Sequence, residues 1–176
     1  SAFATVLLKN LFARKRSDLM RRNDDTIMSP TAMLQDANKE LLDLGVGKFA
    51  TMIVGLLDMQ ENTLLYSVAG HLPLPVLVSE AGAGYLQGEG SAVGIMEDAH
   101  YEEYSVDLPD SFMLALFSDG ILEILPPKNL VEKESYFLDV FDKAAVSPEE
   151  LVTRLGLDHV DTAPDDIAAL FVNKRG

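Results

Sequence analysis

Three stretches of this chain are apolar on both alternating faces: Phe49–Leu57 (FATMIVGLL), Phe112–Phe117 (FMLALF) and Ile167–Val172 (IAALFV). Successive side chains of a strand point to opposite sides of its sheet, so such a strand is expected to be covered on both. Between the first two the period of two continues. Asp58–Asn62 is polar and turn-like, and Thr63–Ala69 (TLLYSVA) reads as the hairpin partner of the first strand. Further strands are expected at Leu74–Val78 and Tyr101–Leu108, with a glycine-rich loop between them carrying Gly82, Gly84, Gly88, Gly90 and Gly94. Asp166–Asn173 is the last strand.

Helices flank these strands rather than alternating with them. Over Ser1–Arg22, Phe3, Val6, Leu7, Leu11 and Phe12 recur at helical spacing. Ser29-Pro30 supplies an N-cap followed by proline at the first helical position. The helix they open is amphipathic through Met33, Leu34, Ala37, Leu41 and Leu44, and Gly45 stands where a C-terminal glycine belongs. Asn129–Ala145 and Pro148–Leu157 are the remaining helices, the second with a capping box from Ser147 to Glu150. Hairpin-linked strands between helices predict an α+β fold: a sandwich of two mainly antiparallel sheets with helices outside them. The length, 176 residues, suits a single domain over 1–176.

Composition removes several functions. There is no cysteine, so disulfides and thiolate chemistry are out and a reducing cytoplasmic setting fits. Apolar runs such as Phe112–Phe117 fall far short of the roughly 20 residues that span a membrane. Ser1–Leu8 lacks the basic leader and cleavage site of a signal peptide. A formal net charge of −14 argues against nucleic acid as a partner. The charge is uneven: six of the 14 basic residues (Lys9, Arg14, Lys15, Arg16, Arg21 and Arg22) lie in the first 22 positions beside one acid, Asp18. They form either a solvated helix face or a docking surface for an acidic partner.

The residues able to carry chemistry are few. Asp119-Gly120 directly follows the strand Phe112–Ser118, where an aspartate is held at the sheet's edge and a glycine lets backbone approach a ligand. Asp-Gly is also a common turn, although the apolar continuation Ile121-Leu122-Glu123-Ile124 is unusual for one. Asp165-Asp166 opens the final strand: either two carboxylates awaiting a cation, or part of a solvated acidic loop with Asp158 and Asp161. If both are extended, only one of the pair aims at a shared site. His71, in Ala69-Gly70-His71-Leu72-Pro73, is a proton donor, a ligand or a turn histidine; His100 and His159 are isolated. No Gly-x-Ser-x-Gly elbow and no phosphate-binding glycine loop are present.

In order, KFATMIVGLLD, LLYSVAGHLPL followed by Pro75, the short Ser91–Gly94 loop, FMLALFSDGILE and DDIAALFV resemble the SpoIIE-like branch of the PPM (protein phosphatase 2C-like) serine/threonine phosphatases, over nearly the whole chain. That resemblance implies an αββα sandwich binding two Mn²⁺ or Mg²⁺ ions. It implies metal-ligand roles for Asp119 and Asp165, with Gly120 and Asp166 counted in the metal site and Asp166 assisting through water. It implies in-line attack on phosphorus by water that the ions activate, with no covalent enzyme intermediate, and gives His71 no catalytic role. The family's Asp-x-Ser-Gly-His-Gly segment, with its metal-bridging aspartate, stands just before the helix in which this chain starts, so the N-terminal strands are expected to be missing. The implied substrate is a phosphorylated regulatory protein of the anti-anti-sigma type, with a receiver domain fused or associated, and a homodimer is compatible with it. A catalytically inactive, phosphatase-shaped adaptor that binds a sigma-pathway partner is the alternative.

Overall fold

The computed structural model describes residues 2–45, 47–141, 147–159 and 165–175. The chain divides into two compact units, Ser1–His71 with Gly88–Asp107, and Leu72–Gln87 with Leu108–Gly176.

The first unit carries α1 (Ala2–Arg22), α2 (Pro30–Asp43) and a sheet of β1 (Met52–Asp58), β2 (Thr63–Ala69) and β5 (Tyr104–Asp107) in the order β1-β2-β5. The hairpin pairs Met52 with Ala69 through Asp58 with Thr63. Its turn is closed by the Asp58 carboxylate, which accepts from the amides of Gln60 and Glu61 at 2.8 and 3.0 Å. α2 begins as expected: Ser29 Oγ accepts from the Ala32 amide at 3.3 Å, Pro30 is the first helical residue, and Gly45 adopts a positive φ of 62° beyond the other end. Leu11 of α1 joins Met33, Leu34, Ala37 and Leu41 of α2 in a core with Val54, Ala69 and Val93. Val6 does not follow that face; it is 59% exposed.

The second unit carries β3 (Val76–Ser79), β4 (Gly82–Tyr85), β6 (Phe112–Phe117) and β7 (Ala169–Lys174) in the order β4-β3-β6-β7, all antiparallel. Its helices are α3 (Gly120–Ile124), α4 (Leu130–Phe141) and α5 (Pro148–Arg154). Ser147 Oγ caps α5 by accepting from the Glu150 amide at 3.2 Å. The core sets Met113, Ala115 and Phe117 of β6 against Ile121, Phe137, Phe141 and Leu151 of the helices.

Several expectations are corrected. Of the three strands read as covered on both faces, only Phe112–Phe117 is: five of its six residues are buried, and β6 is also a central strand, between β3 and β7. β1 and β7 are outer strands of their sheets. Phe49 is 62% and Leu170 58% exposed, and in β1 only Val54 is buried. The most buried strand of the first unit is β2, with five of its seven residues buried and a strand on each side. Gly82–Tyr85, expected within a loop, is a strand paired with β3. The last strand begins at Ala169, leaving Asp165 and Asp166 ahead of its ladder. The side chain of Phe3, Asp161 and the 142–145 end of the expected helix lie outside the described residues.

Candidate active site

All four residues singled out for metal chemistry lie in the second unit, where β6 ends and β7 begins. Phe117, the last residue of β6, sits in an aromatic cluster. Its ring meets those of Phe137, Phe171 and Phe141 edge-on, with centroids 5.1, 5.5 and 6.3 Å away. Such contacts favour one arrangement over the many that aliphatic packing allows, so the strand end that leads into Asp119 has a fixed base.

Beyond Phe117 the chain turns from strand into α3. Asp119 is the residue before the helix, in the right-handed region at φ −60° and ψ −25°, and its carboxylate caps nothing. Its carbonyl accepts from the Leu122 amide at 2.9 Å, and the Ser118 carbonyl accepts from the Ile121 amide at 3.2 Å. The backbone of Asp119 thus serves the helix while its side chain is left for other use.

Asp165 and Asp166 arrive beside this turn because the two segments are stitched together. Past the last ladder pair, Phe117 with Ala169, the Ser118 amide donates to the Ala168 carbonyl at 2.9 Å. Ser118 Oγ accepts from the Ala168 amide at 2.8 Å and donates to the Asp166 carbonyl at 3.0 Å. Asp165 Oδ1 accepts from the Asp166 amide at 2.8 Å. Neither aspartate lies in a strand, so the alternation that would have aimed only one of them at a site does not govern them.

Gly120 allows a close backbone approach. A Cβ there would stand 2.5 Å from the Asp166 carbonyl oxygen and 3.3 Å from that of Asp165. The missing side chain makes room for the chain's own backbone. It brings the Asp165-Asp166 segment against the start of α3.

Asp119, Asp165 and Asp166 offer hard carboxylate oxygens, the donor class that Mg²⁺ and Mn²⁺ take. No Lys or Arg forms an ion pair with any of them among the described residues. Also among the described residues, no three His, Cys, Asp or Glu side chains gather closely enough to hold a metal ion. The backbones of the two segments are brought together; their three carboxylates do not form one cluster. A cleft of about 620 Å³ opens at the other end of β6 and β7, beside Phe112 and Lys174, and holds none of these carboxylates.

His71 belongs to the first unit, following Gly70 in the turn after β2. The basic stretch of α1 is partly committed within that unit. Arg14 pairs with Glu40, and Lys15 lies 2.5 Å from Asp36 and 4.0 Å from Asp24, its side chain only 17% exposed. Arg22 pairs with Asp18 within the helix at 3.5 Å. Arg14 and Lys15 are therefore helix-to-helix ties before they are a docking surface.

Sequence reasoning passed over Ser118, whose hydroxyl holds the two halves of the site. The available signal was a small hydroxyl residue between an apolar strand and Asp-Gly. It also passed over Asn38, a buried amide beside the apolar residues of α2 that accepts from the Gly94 amide at 2.7 Å and donates to the Met96 carbonyl at 2.8 Å.

A family model described as Stage II sporulation protein E (SpoIIE) matches residues 1–175. The phosphoserine phosphatase RsbU of Bacillus subtilis is 24% identical over 133 residues, 74% of this chain and 40% of its own length. Among solved structures, the RsbU and RsbW domains of a Mycobacterium tuberculosis protein superpose with a TM-score of 0.69 at 23% identity, covering 94% of this chain and 49% of that one. The SiaA-PP2C domain of Pseudomonas aeruginosa gives 0.70 at 16% identity, covering 99% and 70%. The structural likenesses establish the fold, that of PP2C-type phosphatase domains, and the chain spans less than half the length of the RsbU protein it matches.

Proposed function

The chain belongs to the Stage II sporulation protein E (SpoIIE) family, and from that membership we propose that its two units act together as one serine/threonine protein phosphatase domain that depends on Mn²⁺ or Mg²⁺. The observation that carries this reading is the meeting of Ser118-Asp119-Gly120 with Asp165-Asp166 at the ends of β6 and β7. Asp119 and Asp165 would supply carboxylate oxygens to the ions, with Asp166 assisting through water. When bound, such ions draw charge from phosphoryl oxygens and make water a nucleophile near neutral pH. The chain's own part is placement: the aromatic cluster fixes the end of β6, the turn into α3 carries Asp119, and the stitching keeps the backbone of Asp165 and Asp166 beside that turn. With no cysteine in the chain, hydrolysis requires no thiol nucleophile. A structure of RsbX in complex with magnesium and one of the SpoIIE phosphatase domain soaked with manganese share the fold, at TM-scores of 0.66 and 0.57, which supports the choice of metal.

The substrate proposed is a phosphorylated regulatory protein of the anti-anti-sigma type, in a signalling circuit that includes a receiver domain. The RsbU relative is itself named a phosphoserine phosphatase, and a matched structure pairs an RsbU domain with an RsbW domain. The test is Asp119→Asn and Asp165→Asn in the full-length protein, assayed with Mn²⁺ on an aryl phosphate and on phosphoserine protein. Each should lower the rate by at least about 100-fold, since losing a metal ligand should cost no less than losing its supporting shell, while His71→Ala costs far less. Equal losses from all three would overturn these roles. A wild-type protein that binds the phosphoprotein but hydrolyses neither substrate would make the domain an adaptor.

A further inference from the structure

At residue 118 one backbone carbonyl is wanted in two places. In a continuing antiparallel ladder, the pair Ser118–Ala168 would exchange both amide-to-carbonyl bonds, as every second pair before it does, Leu116–Leu170 and Leu114–Val172 among them. Only one is made: the Ser118 amide donates to Ala168 O at 2.9 Å. The Ser118 carbonyl has left the ladder and accepts the first bond of α3, from the Ile121 amide. The Ala168 amide is instead taken up by Ser118 Oγ at 2.8 Å, and the same hydroxyl passes its proton to the Asp166 carbonyl at 3.0 Å.

We infer that Ser118 is a positioning residue of the candidate metal site: its hydroxyl replaces the carbonyl that α3 withdraws, so β6 can turn to present Asp119 without releasing the segment that presents Asp165 and Asp166. A hydroxyl is the group that suits this place. It must accept from one amide and donate to one carbonyl from the same atom, on a stem short enough to stay beside its own backbone. Alanine does neither, and a cysteine thiol does both weakly. Threonine keeps the oxygen at the same distance from the chain. Gly120 works from the other side, since its missing Cβ lets the Asp166 carbonyl come close enough to reach that hydroxyl.

This role rests on the metal-site reading above, and two readouts keep the two apart. In the full-length protein, backbone amide exchange over 165–169 and Mn²⁺ affinity by calorimetry are measured for wild type, Ser118→Ala, Ser118→Thr and Asp119→Asn. Ser118→Ala should speed exchange at the Ala168 amide by about tenfold or more, leave Val172 in mid-ladder unchanged, and weaken Mn²⁺ binding by about 10- to 100-fold, the range for residues that orient metal ligands. Ser118→Thr should restore both. Asp119→Asn should weaken Mn²⁺ binding without altering exchange at Ala168. If Ser118→Ala keeps wild-type Mn²⁺ affinity while Asp119→Asn loses it, the positioning role is overturned and the site reading stands. If wild type takes up no Mn²⁺, the site reading falls and the role falls with it.

Discussion

In the unit built on β1, β2 and β5, the helices share an apolar core and are tied by polar groups as well. α1 meets α2 through Arg14–Glu40 and Lys15–Asp36, and α2 meets the 94–96 loop through the two hydrogen bonds of the Asn38 amide. In the unit built on β3, β4, β6 and β7, the helix-to-sheet contact is aromatic, with Phe137 and Phe141 of α4 edge-on to Phe117 of β6. Ring packing gains from burial that salt and pH hardly touch, whereas exposed ion pairs are screened by water and salt. The ring contacts of the aspartate-bearing unit are thus less sensitive to ions than Arg14–Glu40 and Lys15–Asp36. That suits a site expected to work with divalent cations.

Truncating rings and cutting polar ties should therefore have unequal effects. Phe137→Ala empties the centre of the aromatic cluster, where Phe137 is fully buried; it should cost about 3–5 kcal/mol in urea unfolding. A loss under about 1 kcal/mol would mean the cluster does not hold the second unit. Asn38→Ala leaves the Gly94 amide and the Met96 carbonyl without their partner and should cost about 1–3 kcal/mol. The exchange of the Gly94 amide should rise with it, and unaltered exchange there would show that the loop is held by other contacts. Arg14→Ala and Lys15→Ala should each cost about 1 kcal/mol or less. Their cost should shrink between 0.05 and 0.5 M salt, levels on the order of those that bring the Debye length from above 10 Å to below 8 Å. A salt-independent loss at Lys15 would assign its value to the packing of its mostly covered stem rather than to its charge.

The pairing of Arg14 and Lys15 also changes how a docking role for α1 is best probed. Reversing these two to glutamate would set like charges against Glu40, Asp36 and Asp24 and disturb the helix pair itself. Arg16 and Arg21 are the cleaner probes for an acidic partner.

Much of this architecture could be read from residues. β2 begins and ends where alternation said, the Ser29-Pro30 start and Gly45 end of α2 follow capping chemistry, and the apolar run of β6 is a buried central strand. The misreadings share a cause. An apolar run records that a strand meets apolar surface, but not whether it stands in the middle of a sheet or at its side. β1 and β7 therefore looked like β6 until their partners were known. β4 was hidden because Gly82 and Gly84 lower strand propensity, and only pairing with β3 overrides it. At the site, the Ser-Asp-Gly and Asp-Asp pairs were visible as candidates. What holds them side by side was not, since it depends on a serine and an aspartate segment far apart in sequence.

That separation bears on how the protein is made. β6 is synthesised well before β7, and the residues between Phe117 and Ala169 take roughly 3–10 seconds to add at about 5–20 residues per second. During that interval β6 has β3 on one side and no partner on the other. It is an apolar strand with an open edge, the kind of feature that invites wrong pairings and chaperone capture. The two acidic limbs cannot meet until β7 has closed on β6, so a half-made chain has its first aspartate in place and nothing to use it with. Any use that needs both limbs would wait until β7 has closed on β6.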